Sequence, residues 1–169
     1  MINMANIDVK KYESVVLYLA KQLGGELHGK KKLAKLLYFV DFDYFEKHET
    51  SVTGDVYKAL PMGPVPEQMT AIIKALEDEK RISVSAVAER EGYLPTEIYT
   101  LTTEDIGQDL LSAEEKETVD HVVEKYGHLN GKELEILTHA EAPYLGTAPG
   151  GVIAYELAFY RGTDFSEHA

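Results

Sequence analysis

The sequence predicts an α+β fold, predominantly α-helical, with about six helices and a small two- or three-stranded antiparallel sheet. Three observations predict it. Apolar residues recur at helical spacing through most of the chain. Ile82, Val84 and Ala86 alternate with serines, and Glu97 to Leu101 is β-branched and aromatic. Helix-opening patterns stand at Ser112-Ala113-Glu114-Glu115 and, more weakly, at Asn130-Gly131-Lys132-Glu133.

The first helix carries Tyr12, Val15, Val16, Leu19 and Leu23 in register. Asp8 suits its N-cap, and Gly24-Gly25 ends it. The second holds Leu33, Leu36, Leu37, Val40, Tyr44 and Phe45, with Tyr38, Phe39 and Phe42 spreading apolar surface around nearly the whole circumference. Such a helix belongs at the centre, with other elements packed around it.

Residues 53–66, Thr53-Gly54-Asp55-Val56-Tyr57-Lys58-Ala59-Leu60-Pro61-Met62-Gly63-Pro64-Val65-Pro66, break the helical pattern. Val56, Lys58 and Leu60 point one way along a strand and Tyr57 and Ala59 the other. Pro61 ends that strand. The three prolines read as a stiff corner, with Pro66 in the first turn of a third helix running to about Glu79. The strand at 56–60 is expected to join a hairpin of 82–87 and 97–101.

Val119, Val122, Val123 and Tyr126 mark the buried face of a fourth helix. Leu134, Leu137 and Ala140 mark that of a fifth. Residues 146–151 read as a Gly/Pro loop, and Val152 to Tyr160 as a last apolar segment, expected to be helical.

The 169 residues suit one domain, expected to span 1–169. There is no cysteine, which removes thiol catalysis, Cys-based zinc sites and disulfides. No apolar run is long enough to cross a bilayer, and Asp8 and two lysines precede the first apolar stretch. A cytoplasmic protein without a membrane partner is expected. The net charge of −12 opposes nonspecific nucleic-acid binding and favours partners with basic surfaces. Residues 109–141 hold nine acids against three lysines, half of that excess.

Glu117, His121, Glu124 and His128 share one helix face, as zinc ligands could. That face lies opposite the valines, so a solvated, metal-free stripe is the better reading. Asp41 and Asp43 point in different directions on one helix and make no carboxylate pair. No nucleophile elbow, phosphate loop or His-Glu-x-x-His motif is present, so neither catalysis nor a cofactor is expected. Lys30, Lys31, Lys32 and Lys35 crowd the start of the second helix, where the macrodipole disfavours cations. Either they serve a partner, or they pair with the acidic helices of their own fold. His139, in the last turn of the fifth helix, reads alone as a dipole partner or carbonyl donor.

Four segments, Lys32-Leu33-Ala34-Lys35-Leu36-Leu37-Tyr38-Phe39, Thr53-Gly54-Asp55-Val56-Tyr57-Lys58-Ala59, Gly63-Pro64-Val65-Pro66, and Leu137-Thr138-His139 with Pro143, together resemble the Panacea antitoxin domain. This is the SocA-like, phage-associated family of bacteria and their phages. The resemblance runs over roughly residues 10–160. Tyr144 stands where the family has tryptophan, and Ala34 where glutamine is common.

The resemblance implies a non-catalytic antitoxin that binds and neutralises a protein toxin encoded nearby. At least one member hands its toxin to a protease. The residues expected to contact the partner are Lys31, Lys32, Lys35, Gly54, Asp55, Tyr57, Lys58, Gly63, Pro64 and His139. The alternative is a winged-helix-like DNA-binding regulator of a phage or toxin–antitoxin operon, since a helix at 66–79 precedes a hairpin. Against it, that helix carries Glu67, Glu77, Asp78 and Glu79.

Overall fold

The computed structural model describes residues 7–89 and 91–162. Its helices are α1 (Val9–Gln22), α2 (Lys30–His48), α3 (Met69–Asp78), α4 (Ala113–Tyr126), α5 (Gly131–His139) and α6 (Ala142–Leu145), with 3₁₀ segments at Gln108–Leu110 and Tyr155–Tyr160. Strands β1 (Glu26–His28), β5 (Thr96–Leu101) and β4 (Ile82–Val87) form one antiparallel sheet in that spatial order. Strands β2 (Tyr57–Leu60) and β3 (Gly63–Pro66) form a second. The fold is therefore α+β and mostly helical, as the periodicity predicts.

Helix α2 is the axis. Its residues from Leu33 to Phe42 are all buried, and it packs against α4, α5, β3 and the terminal 3₁₀ segment. Tyr38 stacks on Phe42 with centroids 4.5 Å apart, and Phe39 stacks on Tyr126 at 3.9 Å. Both capping boxes form, at Ser112 and at Asn130, each satisfying two otherwise orphaned backbone donors. Asp8 caps α1 through the Lys11 N–H.

The sheet differs from the expectation in partnering. The strand near 56–60 does not join the 82–101 hairpin. It pairs instead with β3, in register Tyr57↔Pro66, Lys58↔Val65, Ala59↔Pro64 and Leu60↔Gly63. The supposed corner is thus the second strand of a tight hairpin, and α3 begins only at Met69, beyond Pro66.

The prolines permit this because of where their missing N–H groups would point. Tyr57 and Ala59, opposite the prolines, direct their own backbone groups the other way: Ala59 N–H to the Gly151 carbonyl, and the Ala59 and Tyr57 carbonyls to Gly150 and Ile153 N–H. Pro64 and Pro66 therefore sit at positions whose backbone faces away from β2, and the ladder loses nothing. β2 becomes the middle of a small ribbon flanked by β3 and residues 150–153.

Strand β1 has only Leu27 inward, too little for an alternation signal. Val152 to Tyr160 is 3₁₀ from Tyr155 rather than a full helix, because its first residues serve the ribbon. Among the described residues no helix is long and apolar enough to cross a membrane.

Candidate partner-binding site

The segment from Ser51 to Gln68 is assembled around two buried carboxylates. Asp41, in the middle of α2, accepts from the Val52 and Thr53 N–H groups (both 2.8 Å), the Thr53 hydroxyl (2.5 Å) and the Tyr57 hydroxyl (2.6 Å). Burial pushes its carboxyl up to about 6, although all four donors favour the charged form. Asp55 accepts from the Tyr12 hydroxyl at 2.6 Å, the Val56 N–H at 2.7 Å and the Gln68 N–H at 3.0 Å. It ties the turn to α1 and to the entry of α3. Burial raises its carboxyl above the ordinary range too. The Tyr155 hydroxyl closes the set on the Asp55 carbonyl.

Tyr57 is 1% exposed, so its ring faces Tyr38 and Phe42 rather than solvent. Gly54 takes a φ of 75° and donates to the Ser51 hydroxyl at 3.2 Å. Gly63 has a φ of 109°, and a Cβ there would lie 2.9 Å from Lys35 Cε and 3.0 Å from Thr138 Oγ1. Backbone conformation and close approach both demand glycine. Pro64 is buried, and its carbonyl accepts from Lys35 Nζ at 3.0 Å.

Three of the four lysines at the start of α2 are committed within the fold, while Lys30 is exposed. Lys31 pairs with Glu135 at 2.8 Å, Lys32 donates to the Gly127 carbonyl at 2.6 Å, and Lys35 is 1% exposed beneath Gly63 and Pro64. They bind the start of α2 to α4, α5 and the ribbon, which accounts for cations at an unfavourable helix end. Burial lowers Lys32, and burial with the neighbouring Lys31 charge lowers Lys35 to about 8. His139 is half-buried with its ring 4.6 Å from that of Tyr144. Its Nε2 is enclosed without a hydrogen-bond partner among the described residues.

Of the ten residues singled out from the sequence, Lys58 presents its side chain at the ribbon's outer face. Its ammonium is 3.0 Å from Glu67. Around it stand Val56 and Leu60 on the same face of β2, Val65 opposite on β3 and Val152 across the isolated bridge. Met62, at the hairpin tip, is 59% exposed. The face is an apolar surface around a single ion pair. Sequence reasoning counted Val56, Lys58 and Leu60 as one face but passed over Met62, Val65 and Val152. Only the β2–β3 pairing brings these together.

Sequence reasoning also passed over the anchors. Asp41, an acid set between Val40 and Phe42 in the most apolar stretch of α2, is the signal that could have found the first. Arg161, with a 1% exposed side chain, lies 2.8 Å from Asp43 and 3.0 Å from Glu141, which also accepts from Tyr38 at 2.8 Å. Asp41 and Asp43 thus serve separate sites.

In the acid/histidine stripe, Glu117, Glu124 and His128 are exposed. His121 is half-covered in a cleft of about 180 Å³ with His48 and Lys125. Among the described residues no group of three or more His, Asp or Glu side chains is placed to hold a metal ion.

Residues 33–144, more than half of the chain, match the family described as Antitoxin SocA-like, Panacea domain, and the chain belongs to that family. No curated protein and no solved structure matches it.

Proposed function

We propose that this protein is an antitoxin that neutralises a cognate protein toxin, encoded nearby, by direct non-catalytic binding. Family membership carries the reading. The outer face of the β2–β3 ribbon supplies its contact surface, with Leu60, Met62 and Val152 as apolar contacts and Lys58 for charge matching. The partner residues read from the sequence divide accordingly. Lys58 touches the toxin. Gly54, Asp55, Tyr57, Gly63, Pro64 and Lys35 hold the ribbon rigid, so little entropy is lost on docking. Lys31 and Lys32 hold α2 to α5 and to the end of α4, and His139 lies against Tyr144, whose hydroxyl bonds the Leu60 carbonyl of the ribbon.

Co-expression with the neighbouring toxin tests this. Leu60→Glu with Met62→Glu should abolish growth rescue and co-purification while leaving the melting temperature unchanged. Retained rescue by that pair would place the contact elsewhere. The same proposal includes delivery of the bound toxin to a protease, read as a shortened toxin half-life when the antitoxin is present.

A second reading, DNA-binding autoregulation, draws on the order α3–β4–β5, a helix followed by a hairpin. Its test is a salt-dependent gel shift with the protein's own promoter. The acids of α3 count against it.

A further inference from the structure

We propose that Glu13 and Glu79 share one proton, which clasps α1 to the α3–β4 corner and is released as the pH rises. Glu13 sits on α1 with its side chain 0% exposed, yet neither carboxyl oxygen receives a hydrogen bond among the described residues. Lys10 Nζ, one turn earlier, lies 3.1 Å from Glu13 Oε1 and 3.0 Å from Glu79 Oε1, so one ammonium stands between two carboxyl groups. An enclosed carboxylate without hydrogen-bond donors is costly, whereas a carboxylic acid brings a donor of its own. Glu79 is the acceptor within its reach. Two ionised carboxylates are both acceptors, so a bond between them requires a proton.

The surroundings decide which group keeps it. Glu79 accepts from Lys10, has Arg81 Nη1 3.9 Å from its other oxygen, and reaches solvent with a third of its side chain. Glu13 has Lys10 alone. The proton therefore rests on Glu13 and the charge on Glu79. Burial, with the contact to Glu79, holds the Glu13 carboxyl above the ordinary range, and the bond from Glu13 holds Glu79 below it. Glu79 is the C-cap of α3, an end where the macrodipole disfavours an acid, and the clasp accounts for an acid there. Next to it, Arg81 accepts from the Thr102 N–H and donates to the Asp105 carbonyl, so the clasp ties α1 to the root of the three-stranded sheet. The Glu13 contribution to stability is full in acid and is lost as the pH rises from the ordinary 4.5 through its raised folded value. That of Glu79 is lost as the pH falls through its lowered folded value. The clasp is strongest between the two.

Denaturation midpoints across pH, with an NMR titration of the side-chain carboxyls of the full chain, test the proposal. Glu13→Gln replaces the acid by a permanent donor. It should match the native midpoint near pH 4.5, exceed it in alkali, and remove the part of the alkaline decline that Glu13 causes. The Glu13 signal should titrate above 4.5 and that of Glu79 below it. Lys10→Met should move the Glu13 signal higher still while the clasp persists in acid. A Glu13 signal at the ordinary value would overturn the proposal. So would a Glu13→Gln chain less stable than the native one in alkali, or a Lys10→Met chain weakened equally at every pH, since both mark two ionised groups bridged by Lys10 alone.

Discussion

The β2–β3 ribbon and the β4–β5 hairpin are both antiparallel strand pairs, and they end differently. In the ribbon, β2 is flanked on both sides, and β3 turns two prolines and a lysine-capped carbonyl to its free edge. In the hairpin, β4 leaves three residues' backbone groups open. Each contains a tyrosine bonded to a carboxylate. Tyr57 meets Asp41 inside the core, whereas Tyr99 meets Glu97, whose own side lies toward solvent. The difference teaches that strand length and pairing do not decide how fully a unit's polar groups are satisfied. Buried partners and flanking backbone do.

The largest expected effect tests those two carboxylates. Asp41→Ala strands four donors in the core and should cost about 3 to 5 kcal/mol in chemical denaturation. Glu97→Gln in the hairpin should cost only about 0.5 to 1.5 kcal/mol. Equal costs would break the comparison.

Asp41 also carries a pH signature. Its folded value of about 6 exceeds the ordinary 3.8, so between those values the folded state binds more protons than the unfolded. This contribution is favourable in acid and declines as pH rises through that window. In Asp41→Asn that decline should disappear from the pH dependence of stability.

Next come the glycines. Gly63→Ala meets both a positive φ and the Lys35 side chain, and should cost about 1 to 3 kcal/mol. Gly92→Ala, at a φ of 83° with nothing within 4 Å, should cost about 1 kcal/mol. Thermal melts of the two variants sharpen the contrast between a packed turn and an open one.

Lys35 gives an oppositely signed effect of similar size to that of Asp41. Its folded value of about 8 lies below 10.5, so between them the unfolded chain binds more protons and stability rises with pH. Lys35→Met should flatten that rise. The smallest effect is Met62→Glu, within about 0.5 kcal/mol of native stability, with binding of the proposed partner as the readout that changes.

The helices were legible because their signals are local: the periodicity of α1 and α2 and the boxes at Ser112 and Asn130 lie within a few residues of the structure they set. The antiparallel partner of 82–87 was legible for the same reason. The partner of 57–60 was not, because Gly63-Pro64-Val65-Pro66 reads by composition as a break. Its strand character depends on which way each missing N–H points once the register exists. The candidate surface was half legible. Val56, Lys58 and Leu60 follow from alternation, but Val152 arrives from a hundred residues away. Lys35 and Tyr57 carry the residue types of a contact surface, and their burial is decided by Gly63 and Asp41, which no spacing rule couples to them.

Arg161 gives the boundary of the molecule a physical meaning. It stands beyond the segment that marks the family, as do Tyr12 and the rest of α1. Yet Arg161 is the counter-charge for Asp43 and Glu141 inside the fold, and Tyr12 holds Asp55. A fragment trimmed to residues 33–144 would keep the segment matched to the family, leave two enclosed carboxylates without their cation, and uncover one side of α2. The stretch by which the family is recognised and the stretch that folds together are different lengths of the same chain, and an excised recognition segment is expected to be a collapsing chain rather than a smaller copy of the same fold.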